Sequence, residues 1–438
     1  MDAMTLSLVS LGAMLSLIGL RVPIGVAMGG VAFVGFWYLR NFNVALSTLR
    51  DSPFVFAANW DLSAIPMFLL MGAIASNCGI GAALFRAANA WFGALPGGLA
   101  VAANWACAAF GAASGSSVAA AAAVARLAVP EMLKHKYDKG LATGVCASGG
   151  TLDALIPPSI TFVIYGIFAE TSVSKLLLAG VLPGLLTAGF YMAMIVIRCS
   201  LNPSLAPRLT FPDRAALWRE RRDSLRDVWP ILVLITGVIG GLYTGVMTPT
   251  EAGAAGAFLA SVIGVLQRRL SFAGFVVAMK DGMGTTAQLF FIGIGAVLYT
   301  KFLALGGIAD MFVDLVGSWA VDPLLLVIAA SIVYLVLGTF MDPLGMILIT
   351  IPVFIPMLNA LGMDLVWFGV IVVKYIGISL LSPPVGFNIY VVASAANNEI
   401  PLRTIYRGCY WFMLTEIPIM ILLIAFPQIS LWLPNSMR

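Results

Sequence analysis

The chain has 438 residues, 61% of them hydrophobic and only 10% charged, with a net charge of +4. Soluble domains carry about 25% charged residues, so this composition excludes a water-soluble protein and implies an integral membrane protein. The basic residues lie between apolar runs rather than in a patch, which leaves nucleic-acid binding without support.

A helix needs about 20 apolar residues to cross the hydrocarbon core. In chain order, segments of that size are predicted near 4–20, 22–39, 62–80, 175–197, 228–247, 249–266, 282–304 and 409–433. The N-terminal Met1-Asp-Ala-Met has no basic region before the first apolar run, so that run reads as a span rather than a cleaved signal. Residues 81–96 are apolar but loose and are expected to lie partly in the interface. Two longer apolar stretches, 140–169 and 366–396, contain Pro157-Pro158 and Pro383-Pro384. Proline removes a backbone donor and ends or kinks a helix, so both read as broken helices.

Two further regions do not fit simple spans. Between Leu99 and Met132 the apolar sequence is cut by Gly111-Ala-Ala-Ser-Gly-Ser-Ser-Val118, and between Pro323 and Leu358 by Gly338-Thr-Phe-Met-Asp-Pro343. The arms on either side are short for a membrane span, so each region is predicted to be a re-entrant helical hairpin; ordinary tilted spans are the alternative. The two halves repeat: Pro130 and Pro356 are separated by the same number of residues as Pro157 and Pro383. Each half reads hairpin, loop, broken helix, final helix. The predicted fold is thus an all-α polytopic membrane protein, an inverted repeat with two re-entrant hairpins and two discontinuous helices.

Charge sets the orientation. The base of the first hairpin carries Arg126, Lys134, Lys136 and Lys139, whereas residues 357–365 carry no Lys or Arg. Cytoplasmic loops are enriched in both, so the hairpins are expected to enter from opposite faces. Arg198, Arg208, Arg214, Arg219, Arg221, Arg222 and Arg226 place 198–227 inside, and 306–322, with Asp310, Asp314 and Asp322, outside. Counting back gives an external N-terminus, with Arg40 and Arg50 outside against the trend. The expected division is N-terminal scaffold helices over 1–96 and a first repeat transport unit over 97–197, with its hairpin near 99–132 and broken helix at 140–169. A cytoplasmic loop over 198–227, second-half scaffold helices over 228–304 and a second transport unit over 305–438 follow, the last with its hairpin near 323–358 and broken helix at 366–396.

Paired Gly/Pro-interrupted segments in matching places of two halves point to a transporter's binding site. The amino end of a half-helix suits an anion, and unwound carbonyls suit a hard cation. The economical arrangement is one cation site per half with an anionic substrate between. Ser114, Ser116 and Ser117 offer hydroxyls; close packing of small residues is their alternative role. Asp342 at the second tip and Asp153 in the first break are intramembrane carboxylates, functional candidates by default; helix capping is the alternative for Asp153. Lys301 and Lys374 are candidates to attract a carboxylate, with snorkelling to the interface as the alternative. Ser159, Thr161 and Asn388 are candidate cavity-lining residues. Glu170, Glu251 and Glu416 fall near span ends and are expected at the interface. Five scattered cysteines and a single histidine form no metal or redox spacing. With no nucleophile–base motif either, an enzyme is disfavoured, and two occluding hairpins argue against a passive channel.

Phe110-Gly-Ala-Ala-Ser-Gly-Ser-Ser-Val-Ala119, Arg126-Leu-Ala-Val-Pro-Glu-Met132, Tyr137-Asp-Lys139, Ile156-Pro-Pro-Ser-Ile160, Lys175-Leu176, Ala179-Gly180, Phe340-Met-Asp342 and Pro383-Pro-Val-Gly-Phe-Asn388 together resemble the large membrane subunit of TRAP (tripartite ATP-independent periplasmic) transporters. The resemblance covers nearly the whole chain. It implies an elevator-type secondary importer in a bacterial inner membrane that moves an organic acid, typically a carboxylate, on a sodium gradient. It also implies a small four-helix membrane subunit and a periplasmic substrate-binding protein as partners. The family's Na⁺ positions map to Ser114, Ser116 and the Gly150–Pro158 break, with Gly150, Asp153, Ile156 and Pro158. In the other half they map to the Gly338–Asp342 tip and to Ser382 and Pro383. Asp153 stands where the family is expected to have a small residue such as Gly; an extra carboxylate there tightens cation binding or adds proton coupling. Ser117, Ser159, Thr161, Lys301, Lys374 and Asn388 are the candidate substrate residues. A self-sufficient dicarboxylate/Na⁺ symporter of the same superfamily is the alternative.

Overall fold

A computed structural model describes residues 3–207, 214–308, 311, 313–314, 322–338, 341–383 and 385–437. Thr339 and Phe340 of the second tip, Pro384, Asp310 and Arg208 lie outside the described residues, as does the side chain of Arg214. Every regular element among the described residues is helical. Six helices are long and apolar enough to cross a membrane, and a bent pair supplies a seventh.

The N-terminal elements are α1 (Ala3–Gly19), α2 (Ile24–Leu39), α3 (Phe42–Ala57), α4 (Ala64–Asn77) and α5 (Ile80–Phe92). Helix α3 was not expected: Arg50 and Asp51 dilute its hydropathy, but Asn41 caps it by accepting a 2.9 Å hydrogen bond from Val44 N–H. It forms, with the Trp60–Asn77 segment, the pair bent by 56°. Helix α5 covers most of the loose apolar 81–96 segment. Its apolar face, including Ile80, Leu84 and Phe85, is buried against the first arm of the first hairpin.

That hairpin consists of α6 (Gly98–Ser114, 17 residues) and α7 (Ser117–Lys134, 18 residues). At 1.5 Å per residue the arms reach about 26 Å, less than the roughly 30 Å core. Ser116 ends the turn by capping α7. The first broken helix is α8 (Lys139–Gly149), a 3₁₀ turn over Gly150–Ala154, and α9 (Ile160–Phe168), followed by α10 (Val173–Ala179) and α11 (Val181–Leu201). Then come α12 (Arg214–Tyr243), α13 (Pro249–Leu266) and α14 (Phe272–Leu305). Part of the expected 198–227 loop is therefore the start of α12. There Arg221 donates to the carbonyl of Ala90 at 3.1 Å and lies over the Trp91 ring, which fixes the helix against α5.

The second hairpin is α15 (Pro323–Leu337, 15 residues) and α16 (Pro343–Ala360, 18 residues). The second broken helix is α17 (Leu365–Ser379) and α18 (Phe387–Ala395), and α19 (Leu402–Ala425) and α20 (Gln428–Asn435) close the chain. The apolar run expected over 409–433 is thus interrupted, with Pro427 capping the start of α20.

Packing falls into two sets. Helices α2 and α4 pack on α13 and α14, while α8 packs on α7 and α19 and α18 packs on α7. Helices α8 and α19 cross backbone to backbone, since a Cβ on Gly408 would overlap the Gly140 carbonyl. Within the second set lies an ion pair. Lys374 on α17 and Glu416 on α19 are each 3% exposed and bonded to one another. Lys374 also donates to Thr187 Oγ1 at 3.2 Å, and the Tyr191 hydroxyl donates to Glu416. The interfacial position expected for Glu416 is therefore wrong. A carboxylate surrounded by apolar sequence has found a cation instead of water. Glu251 does sit at an exposed helix start, where with Thr248 it forms a reciprocal cap, and Glu170 is exposed beyond α9.

Leaving one buried charge of a pair uncompensated costs about 3–5 kcal/mol, whereas apolar replacement of both partners is near neutral. Glu416→Gln is expected to lose stability on that scale, and the Lys374→Met, Glu416→Leu double variant to recover most of it, read as melting temperature and unfolding midpoint in detergent.

Candidate functional site

The hairpin tips and helix breaks are brought together as interlocking pairs. In the first half, a Cβ on Gly115 would stand 3.1 Å from the Pro158 carbonyl, and one on Gly111 would stand 2.7 Å from Asp153 Cα. Only glycine lets the hairpin backbone approach the break this closely. In the second half, a Cβ on Gly338 would overlap the Ser379 hydroxyl. The two breaks also touch one another. Asn388 Nδ2 donates to the Ala147 carbonyl at 3.2 Å, and a Cβ on Gly377 would meet Thr151 Cβ at 3.3 Å.

The first tip and break hold a group of oxygen atoms. Ser114 ends α6 at 5% exposure and Asp153 is 1% exposed. Among the described residues, neither Ser114 Oγ nor Asp153 Oδ1 has a hydrogen-bond partner, and the same holds for Asn388 Oδ1. Ser117 Oγ donates to Asp153 Oδ2 at 3.4 Å. Gly150 faces the Ser117 carbonyl and the Asn388 amide. Buried polar atoms are ordinarily paired, so each of these three oxygens is left open to a ligand, and oxygens of this kind suit a hard cation. Ser117 thus lies beside Asp153 and Asn388 beside Gly150.

The two carboxylates differ in their local hydrogen bonding. Asp342 caps α16 by accepting from Leu344 N–H at 3.3 Å, whereas Asp153, for which capping was the alternative, caps nothing. Ser382 donates to the Ser379 carbonyl at 2.9 Å, and Pro383 is exposed in the turn beyond it. Ile156 packs against Gly184. Ser159 is not a cavity-lining residue: it is 1% exposed and donates to the Ala154 carbonyl at 2.6 Å, satisfying backbone that the proline pair left open. Thr161 is half-buried in the first turn of α9. Lys374 is likewise withdrawn from a ligand, because Glu416 already neutralises it. Lys301 stays accessible. It donates to Ser52 Oγ at 3.0 Å and lines a cavity of about 620 Å³ between α3, α9, α14 and α16, opposite Glu170 and Asn359.

Sequence reasoning missed Ser379, which receives the second tip, and Asp281, which with Ser114 and Ser116 lines a pocket of about 200 Å³ between α4, α14 and the first tip. Only the position of Ser379 beside the Pro383 break, and the carboxylate of Asp281 close to an apolar run, mark them in the sequence.

Residues 11–429 match the tripartite ATP-independent periplasmic transporter, DctM component, family. The chain belongs to this family of TRAP transporter large subunits. It is 33% identical over 392 residues to the C4-dicarboxylate TRAP transporter large permease protein DctM of Pseudomonas aeruginosa, covering 89% of this chain and 90% of that one. It is 32% identical over 378 residues to the sialic acid TRAP transporter large permease protein SiaM of Vibrio cholerae, covering 86% and 87%. Its fold resembles that of the Alcanivorax borkumensis YdaH transporter, with a TM-score of 0.65 over 88% of this chain and 89% of that one, at 15% identity. As a TRAP large subunit it is a multi-pass membrane protein, in keeping with its six candidate spans.

Overpacking a tight contact costs about 1–3 kcal/mol. Gly338→Ala is expected to destabilise the chain on that scale, because the added methyl meets Ser379 Oγ. Gly30→Ala, where no atom lies within 4 Å, is expected to leave the melting temperature unchanged.

Proposed function

We propose that this chain is the permease of a sodium-driven importer of an organic acid in a bacterial inner membrane. A periplasmic binding protein delivers the substrate, and a small four-helix membrane subunit completes the assembly. Family membership supports this reading, as do the C4-dicarboxylate and sialic acid named for the two relatives. The observation that carries it is the contact of each hairpin tip with the break of its own half, with the two breaks touching. Non-helical backbone at membrane depth is tolerated where protein or a wet cavity satisfies it, and this arrangement concentrates all four interruptions in one place.

In this reading residues 97–197 and 305–438 form the moving unit, and 1–96 with 228–304 the scaffold, in an elevator-type alternating-access cycle. The N-terminus is periplasmic and 198–227 cytoplasmic. One sodium ion is held by Ser114, Asp153 and the Gly150–Pro158 break, with Ser116, Ser117 and Asn388 beside it. A second is held by Asp342, Gly338 and the Ser382–Pro383 turn. Ion binding is stronger in the substrate-loaded state and so biases the crossing. Lys301, the accessible cation of the 620 Å³ cavity, attracts the substrate carboxylate at the scaffold boundary.

In proteoliposomes supplied with the binding protein and small subunit, removing the sodium gradient is expected to abolish accumulation; accumulation that persists unchanged rejects sodium coupling. Asp342→Ala is expected to raise the half-saturating sodium concentration about tenfold, equivalent to one charge-assisted contact, and an unaltered sodium dependence counts against its role. Uptake by this chain without the binding protein would favour a self-sufficient symporter instead.

A further inference from the structure

Away from the helix breaks, a cavity of about 790 Å³ opens between the start of α8, the end of α11 and the start of α19. Arg198, Arg403 and Arg407 line it, with Asp138 as the single carboxylate. Among the described residues none of the three arginines forms an ion pair. Arg198 lies over the Trp411 ring, 4.4 Å from its centroid, and its buried Nη1 has no hydrogen-bond partner. Asp138 caps α8, accepting from Leu141 N–H at 2.9 Å, and its single charge also faces Arg198, against three guanidinium groups. The floor is made by the Gly140 and Gly408 crossing, which places no side chain in the space.

The cavity therefore holds an excess of positive charge on a rigid frame. Asp138 N–H donates to the Leu205 carbonyl at 2.8 Å, tying the α7–α8 loop to the end of α11. That contact brings Lys134, Lys136 and Lys139 to the same end of the molecule as the three arginines. Basic residues gathered at one end mark the cytoplasmic side. The mouth is apolar where it meets the bilayer: Leu201 is 82% and Trp411 41% exposed. Guanidinium forks match phosphate oxygens in bidentate fashion, and basic pockets between membrane helices on this side take anionic headgroups.

We infer that this cavity is a phosphate-binding site, and that a phosphodiester headgroup of an anionic lipid in the inner leaflet is its occupant. Arg403 and Arg407 grip the phosphate, Arg198 is held beneath it by Trp411, and the acyl chains run out past Leu201.

The full-length chain in non-ionic detergent is titrated with phosphatidylglycerol, phosphatidylcholine or inorganic phosphate while its melting temperature is followed. Phosphatidylglycerol is expected to raise the melting temperature and phosphatidylcholine to have little effect. In R403Q/R407Q the half-maximal phosphatidylglycerol concentration is expected to rise roughly tenfold or more, since charge-assisted forks supply the affinity. R403K/R407K keeps the charge without the fork and is expected to fall between. Both arginines are exposed, so the unliganded variants should melt with the parent. If inorganic phosphate reproduces the shift, and the double variant loses it, the phosphate site stands and its lipid source is overturned. Equal phosphatidylglycerol responses in the parent and R403Q/R407Q overturn the site.

Discussion

Everything distinctive about this chain follows from one constraint: backbone that leaves a helix inside a membrane protein must find partners that lipid cannot supply. Four interruptions are present, and the fold resolves them by contact. The first tip lies on the first break through Gly115 and Pro158, the second tip lies on Ser379 through Gly338, and the breaks meet through Gly377, Thr151, Asn388 and Ala147. Side chains complete the accounting at the margins. Ser159 takes the Ala154 carbonyl and Ser382 the Ser379 carbonyl. Among the described residues, oxygens on Ser114, Asp153 and Asn388 still lack a hydrogen-bond partner after this.

The charged residues sort by the same logic. Lys374 and Glu416 are buried and compensate one another across α17 and α19, so they hold the second broken helix in place. Asp342 spends part of its capacity capping α16. Asp153 has a hydroxyl beside one oxygen and, among the described residues, no hydrogen-bond partner for the other. Among the described residues, Lys301 and the three arginines of the α8–α11–α19 cavity form no ion pair. The chain thus separates charges that fix the architecture from charges left available to a ligand, and sequence position alone does not distinguish the two kinds.

Much of the fold was legible before any coordinates. Apolar runs of membrane length, the two glycine-rich tips and the two proline pairs are local signals, and a helix registers in sequence because its hydrogen bonds are local. The errors fell where local signals are weak or depend on partners. Helix α3 has a weak local signal because the charged pair Arg50 and Asp51 dilutes it. Glu416 was placed in the headgroup region because its partner lies 42 positions earlier.

The sequence by itself determined the class of protein, the twofold repetition and the identity of the interrupted segments, because composition and helix-breaking residues act within a few positions of where they stand. Only the tertiary structure decided which of the candidate side chains are satisfied and which remain open. That outcome rests on contacts between residues tens to hundreds of positions apart, such as Asn388 with Ala147 and Lys374 with Thr187, and no local pattern encodes it.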